Sequence, residues 1–277
     1  MTRNEIIRSL ARSDGLGLEV GPSFSPIFPK REGFAVEVLD HAPADELRKK
    51  YAPFSVEIDN IETVDYVSDG RPMHEIIAHR GYYDYIVASH VIEHTPDFVG
   101  FFKSCEFLLK EDGAVILAVP DKRYCFDVMQ HPTSTGEVLH AYHDKHCRHA
   151  PARIFDFCAN IGRFDDADTW GAEKSRGTLQ LIGSLEHAVR MFNLSFVDET
   201  YLDIHAWRFT PSSFRLLISD LNNIGTINLR EKSFYCNGSF EFVTSLSRDG
   251  TNCEMSRLDL IKEICREQAV GLAQVLA

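Results

Sequence analysis

Gly21 and Asp40, 19 positions apart, carry the clearest chemical signal in the chain. Gly21 ends an apolar run that contains an acid, Glu19, and Asp40 ends a second run, Ala35–Leu39. In an open α/β sheet the first turn must let a ligand approach the backbone, which favours glycine. An acid about 20 residues later, at the tip of the next strand, can accept hydrogen bonds from both hydroxyls of a ribose. The pair therefore points to a nucleoside-containing cofactor without saying which. Other polar groups fall after apolar runs too: Ser89, His90 and His94 after one, Asp121, Lys122 and Arg123 after another.

The elements that must position these groups are legible as alternating strands and helices over the first 120 residues. A helix over Ala44–Lys50 starts at Pro43 with acids in its first turn, where they complement the helix dipole. Thr63–Val67 reads as a third strand ending at Ser68-Asp69-Gly70. Tyr85–Ala88, uninterrupted and apolar, reads as a strand buried on both faces. Residues 96–110 place Phe98, Phe101, Phe102, Cys105, Leu108 and Leu109 at helical spacing. Ala114–Val119 then forms a fifth strand closed by Pro120. Strands separated by helices imply right-handed crossovers and a parallel sheet. Residues 124–200 break the pattern, with helical runs near Gly136–Cys147 and Leu179–Phe192 and no clear strand. They read as a helical insertion over the carboxyl edge of the sheet, where a substrate lid would sit. Thr210-Pro211-Ser212 starts a helix through Leu221, and Asn237-Gly238 joins two late strands, Ile227–Tyr235 and Phe240–Ser247. The tail, Glu254–Leu276, reads as an amphipathic helix with Leu258, Ile261, Ile264, Cys265, Leu272 and Val275 near one face, for packing or for a homodimer contact.

Composition narrows the partners. A chain of 277 residues, 44% hydrophobic and with net charge −12, has no basic stripe to neutralise phosphates, so no nucleic-acid partner is expected. No apolar run approaches the ~20 residues of a membrane span, and the N-terminus lacks a signal-peptide core. Seven scattered cysteines without a CxxC pair fit reduced thiols and a cytoplasmic location.

Read together, Glu19-Val-Gly21, Asp40, Asp69-Gly70, the stretch Tyr83–His94 and Glu111-Asp-Gly113 resemble the class I S-adenosylmethionine-dependent methyltransferases over about residues 16–120. Pro120–Asp127 and the stretch Asp203–Phe214 are similar to a bacterial subgroup that accompanies glycan and polysaccharide biosynthesis. The resemblance implies an α/β fold: a Rossmann-like, doubly wound, mostly parallel seven-stranded sheet with an antiparallel C-terminal hairpin and a helical insertion. It implies S-adenosylmethionine as cofactor. Glu19 and Gly21 would form the first loop, Pro22 and Ser23 would line the methionine moiety, Asp40 would take the ribose, and Asp69 would face the adenine amino group. Ser89 and His90 would border the sulfonium and carboxylate. The loop departs from the family pattern, because Gly21 is followed by Pro-Ser-Phe-Ser rather than by further glycines.

Methyl transfer to oxygen or nitrogen releases a proton that a nearby His or carboxylate can take. His94 is the first candidate base and His143 the second. Asp121, Lys122, Arg123, His140 and His205 are candidates to hold a polar acceptor such as a sugar, sugar nucleotide or glycan intermediate. His140, His143, His146 and His149 recur every three residues. That step drifts about 60° around a helix, so the four cannot meet one ion without a break, and no metal site is expected. The expected organisation is a cofactor-binding half (1–123), an insertion (124–200), completion of the sheet (201–250) and a terminal helix (251–277). Two other classes stay open: a non-catalytic methyltransferase-like assembly protein, and an NAD-dependent oxidoreductase. The missing second and third glycines weigh against the latter, because pyrophosphate approach requires them.

Overall fold

The computed structural model describes residues 1–172 and 177–275. In chain order the elements are α1 (Arg3–Ser9), β1 (Gly17–Val20), β2 (Val36–Asp40), α2 (Ala44–Tyr51), β3 (Tyr66–Val67), α3 (Met73–Ile77), β4 (Tyr83–Ser89), α4 (Phe98–Leu108) and β5 (Leu109–Pro120). They continue with α5 (Thr135–His143), α6 (Pro151–Ala159), β6 (Gly162–Phe164), β7 (Leu179–Leu181), α7 (Leu185–Leu194), α8 (Pro211–Asn223), β8 (Arg230–Tyr235), β9 (Glu241–Ser247) and α9 (Arg257–Val275).

The main sheet has seven strands in the order β3-β2-β1-β4-β5-β9-β8. β1 pairs in parallel with both β2 and β4, and β4 with β5. β9 runs antiparallel to β5 and to β8, with Ala114 opposite Ser247. This is the expected Rossmann-like α/β sheet with its finishing hairpin. The strand order reverses between β1 and β4, so the connections leaving these two strands depart to opposite sides and open a crevice at their carboxyl ends.

Local chemistry explains the boundaries near that crevice. Asp97 caps α4 by accepting from Gly100 N at 2.8 Å. Ser134 and Glu137 form a reciprocal capping box at the start of α5, and Thr210 caps α8 ahead of Pro211 at its first turn. Gly17 is required because a Cβ there would sit 2.2 Å from the Tyr85 ring.

The core has two faces. Leu18, Val20, Ile86, Phe98, Phe102, Phe209 and Phe214 fill one, beneath α4 and α8, while Ile7, Phe28, Tyr85, Val87 and Ile116 fill the other, beneath α1. Phe98 is the hub of the larger face. Its ring centroid lies 5.1 Å from Phe102, 5.7 Å from Phe209, 6.1 Å from Phe214 and 6.4 Å from Trp207.

The insertion differs from expectation. Besides helices it holds a two-stranded antiparallel hairpin, β6 with β7, and Leu179 begins a strand rather than a helix; the helix starts only at Leu185. Phe164 stacks on Trp170 at 5.3 Å, which gives this short hairpin an apolar anchor that its alternation pattern alone did not reveal. The tail helix forms, with Ile261 and Ile264 of the expected face partly buried and the inward face shifted from it. Leu260 and Glu267 are buried, whereas Leu258 is 60% exposed and Cys265 faces solvent. Leu272 and Val275 have side chains outside the described residues. The inward face docks on α8, with Glu267 accepting from Ser212 N and Oγ and Arg257 paired with Asp220. Among the described residues no helix is long and apolar enough to cross a membrane.

Truncating Phe98 removes the ring that four others pack against. Phe98→Ala is expected to destabilise the fold by about 3–5 kcal/mol, the usual cost of a large buried aromatic. The measurement is urea unfolding, with a lower midpoint at unchanged slope.

Candidate active site

The crevice begins at Gly21, whose φ of +65° lies in the left-handed region. A Cβ at this position would come within 2.9 Å of Val91 Cγ2, so a glycine is needed for the turn and for the contact. The next turn residue, Ser23, also adopts positive φ, at +47°. Glu19 does not reach the crevice. Its carboxylate is buried and accepts from Ile27 N at 2.6 Å and Phe28 N at 3.1 Å, so it holds the loop after β1 in place from below. Burial raises its pKa to about 7 despite the two amides.

Asp40 sits at the tip of β2 beside this turn, where the sequence placed it. Its Oδ2 accepts from Ser23 N at 2.9 Å and, more weakly, from Ser23 Oγ at 3.4 Å. Its Oδ1 accepts from His41 N at 2.7 Å, and the His41 ring lies 2.7 Å from the same oxygen. Three hydrogen bonds and the His41 ring contact thus surround the carboxylate. The Ser23 hydroxyl is held at long range and the His41 ring is half exposed, so these two contacts can give way to a pair of ligand hydroxyls. The position and the chemistry fit a nucleoside. Asp69 follows β3 on the same edge, exposed and paired with Arg71 at 2.7 Å.

Past β4 the polar groups converge. His90 has a φ of +53°, a left-handed conformation in a non-glycine residue of the kind that clusters at functional sites. Its Nε2 meets Glu241 Oε2 at 2.8 Å, and Glu241 Oε1 accepts from Arg3 Nε at 2.6 Å. Arg3 also donates to Ser89 Oγ. Burial lowers the His90 pKa, but the contacts with Glu241 and Glu93 outweigh it and hold it up at about 9. Ser89 and His90 are therefore tied to the first helix and to β9.

Behind them Glu93 is fully buried, with neither carboxylate oxygen hydrogen-bonded among the described residues. His90 Nδ1 lies 3.5 Å from its Oε1, His94 Nε2 3.9 Å and His205 Nε2 4.0 Å. Burial pushes the Glu93 pKa up, and the three histidines together bring it below the usual carboxylate range. His94 Nδ1 lies 2.8 Å from Asp203 Oδ1, an ion-pair distance outside hydrogen-bond alignment. Burial lowers the His94 pKa, and Asp203 reverses this to leave it raised. His205 Nδ1 stands 2.5 Å from Asp127 Oδ2. Tyr201 donates to His94 O at 2.9 Å, and its ring packs 5.2 Å from that of His149. His149 is buried with both ring nitrogens unpartnered among the described residues, and burial drops its pKa to about 4. It lines a cavity of about 300 Å³ together with His140, His146, Arg153 and Asp156.

Some expected residues are placed elsewhere. Asp121, Lys122 and Arg123 are buried and committed: Arg123 forks onto Asp121 through Nε at 2.9 Å and Nη2 at 2.5 Å. Lys122 Nζ donates to Val128 O at 3.0 Å. They are turned inward and fix the chain after β5. His143 is exposed on α5 and stands outside the Glu93 cluster. His140, also exposed, reaches only the rim of the cavity. The histidine run is broken where α5 ends at His143. Trp207 is core, donating to Thr95 O at 2.6 Å. Sequence reasoning gave no role to Glu93, Asp127, His149, Asp203 or Glu241. The one available signal was the acid flanked by His90 and His94 directly after a strand.

The strand-order reversal, the glycine turn and the strand-tip aspartate define an α/β protein that binds a nucleotide-like ligand at a topological switch point. The chain belongs to the methyltransferase domain family, whose model matches residues 15–158. A search of curated proteins finds no significant match. Among solved structures, the chain is similar to the methyltransferase CalH in complex with SAH, with 17% identity and TM-score 0.32 over 43% of this chain and 36% of CalH. A protein from Rhodobacter sphaeroides described as a putative Zn-dependent alcohol dehydrogenase shares 15% identity at TM-score 0.47, over 89% of this chain and 88% of its own. An S-adenosylmethionine-dependent methyltransferase from Mesorhizobium loti shares 12% identity at TM-score 0.45, over 87% of this chain and 95% of its own.

The His90–Glu241 pair has a defined pH signature. The folded pKa of His90 lies above its ordinary 6.5, so the stability it contributes is complete below 6.5 and lost as pH rises through about 9. Stability measured by denaturant unfolding should fall across that window, and Glu241→Gln should flatten the fall. An identical slope in the variant would show that His90 is not the titrating group.

Proposed function

We propose that the protein is an S-adenosylmethionine-dependent methyltransferase acting on an oxygen, in preference to a nitrogen, of a small polar acceptor of the sugar or glycan-intermediate class. The observation that carries the cofactor is the Gly21 turn against Asp40 at the β1/β2 tips, within a methyltransferase domain. Asp40 would hold the ribose hydroxyls, Asp69 the adenine side, and Ser89 and His90 the methionine end. When bound, the cofactor supplies an activated methyl group on a sulfonium.

The chain's own task is then alignment and proton handling. The crevice wall at Gly21 and Val91 fixes the donor side. The cavity beside His149 and Arg153 supplies donors and acceptors suited to a polyhydroxylated acceptor. At neutral pH a His149 with pKa about 4 is uncharged, so its ring offers one donor and one acceptor. The Glu93–His94–His205 cluster would assist the loss of the acceptor proton, with Asp203 beside His94 and Asp127 orienting His205.

Titration calorimetry with S-adenosylhomocysteine and NAD tests the cofactor: binding of the first alone is expected, and binding of neither overturns the reading. Asp40→Asn keeps an acceptor for Ser23 N but removes the charge. Its S-adenosylhomocysteine affinity should fall about 10- to 150-fold, the worth of a charge-assisted hydrogen bond of about 1.5–3 kcal/mol. For His94→Ala, steady-state turnover should drop by about 10²–10⁴ while cofactor affinity is retained. Unaltered turnover would remove the cluster from the chemistry.

A further inference from the structure

Glu93, His94 and His205 present one ligand atom each, all within 4.8 Å of one another, and Glu93 and His205 are buried. The two rings stand at 87° with centroids 4.6 Å apart. Each ring has its Nδ1 against a separate carboxylate, Asp127 for His205 and Asp203 for His94. Asp127 is itself steadied by Gln130 Nε2, which donates to its other oxygen at 2.7 Å. Asp127 accepts from His205 Nδ1 and fixes the proton there, so His205 Nε2 turns a lone pair toward Glu93, while Asp203 stands at ion-pair distance behind His94. Glu93 Oε1 faces the two Nε2 atoms at 3.9 Å and 4.0 Å.

Glu93 is buried with neither oxygen hydrogen-bonded among the described residues, a cost that an ion held between it and the two rings would relieve. A proton on either Nε2 cannot bridge these atoms as a hydrogen bond, which needs 2.7–3.2 Å. A larger ion can. Three ligands each about 2.0–2.1 Å from a tetrahedral ion stand about 3.3 Å apart, which closes the two glutamate contacts by about 0.6–0.7 Å. Two imidazoles with one carboxylate select a first-row transition ion over magnesium or calcium. The carboxylate behind each imidazole is the outer support that metal-bound histidines carry.

We propose that Glu93 Oε1, His94 Nε2 and His205 Nε2 form a binding site for one divalent first-row transition ion, with zinc the best match, and leave a coordination position open. The site stands on this geometry alone. Its use rests on the methyl-transfer reading: the open position would take the acceptor hydroxyl and lower its pKa, so that the oxygen attacks as an alkoxide. The proton leaves to solvent or to a neighbouring group, the O–C bond forms and the S–C bond breaks. His94 then acts by holding the ion rather than by taking the proton.

The test uses the full chain after chelator dialysis, with no cofactor or acceptor added. Zinc titration by calorimetry should give one ion per chain, and cobalt substitution should give visible d–d absorption. Glu93→Gln and His205→Ala should each lower zinc affinity at least 100-fold, and Asp127→Asn by about 10- to 100-fold as an outer-support loss. His140→Ala combined with His143→Ala should leave it unchanged, separating the buried set from the exposed histidine run. Should the ligand variants fail to fold, X-ray absorption on the zinc-loaded parent decides: two imidazoles with oxygen support the site, and sulfur ligation or an imidazole-free ion overturns it. No stoichiometric binding by the parent overturns it as well. Zinc binding without methyl transfer leaves the site standing and removes the function. Methyl transfer that survives complete zinc removal removes the ion's role with the acceptor.

Discussion

Parallel pairing of β1 with both β2 and β4 is the constraint on which the molecule turns. Parallel strands send their carboxyl ends to one edge, and the chain must leave each end through a loop before it can return. The loops bearing Gly21, Asp40, Asp69 and His90 therefore share an edge without any of these residues needing to contact another. The reversal of order at β1 and β4 sends neighbouring exits to opposite faces, and the space between them becomes the crevice. The antiparallel β9 then brings Glu241 to that same edge from the far end of the chain, because Pro120 at the end of β5 lies opposite Glu241.

Two electrostatic environments are built side by side on this frame. One is satisfied by the chain itself: Asp40 with its three hydrogen bonds, and Glu241 between Arg3 and His90. The other is not, because Glu93 is buried without a hydrogen bond and His149 is buried without a partner among the described residues. The satisfied groups set backbone shape. The unsatisfied ones carry a desolvation cost that a ligand would relieve.

Much of the frame was legible because its signals are local. The β4 strand announces itself as an apolar run, α4 as a helical repeat of Phe98, Phe101, Phe102 and Cys105, and the final hairpin by Asn237-Gly238. The β6–β7 hairpin was not, since three-residue strands are too short for alternation and Trp170 supplies their anchor from between them. The inward face of α9 was misread for a related reason: the polar Glu267 is buried because it finds Ser212 on α8, which no pattern within the helix discloses. The site divided along the same line. Gly21 and Asp40 belong to one β1–β2 connection and could be read together. His205 and Asp127 lie 78 residues apart, and Glu93 acquires its meaning only when both histidines close over it. Asp121, Lys122 and Arg123 looked free because the Asp121–Arg123 pair and the Lys122 bond to Val128 O are invisible in composition.

The contact between Arg3 and Glu241 joins residues 238 positions apart. It has a consequence for the order of assembly. Most of the parallel sheet can pair once β5 has left the ribosome, yet the edge beside His90 lacks its carboxylate until β9 has slid in antiparallel next to β5. Loop closure of that length is slow compared with the local helices and the β1–β2 turn. The rim that seats His90 is therefore among the last parts of the protein to mature, and a nascent chain carries the Gly21 turn well before it owns a finished pocket.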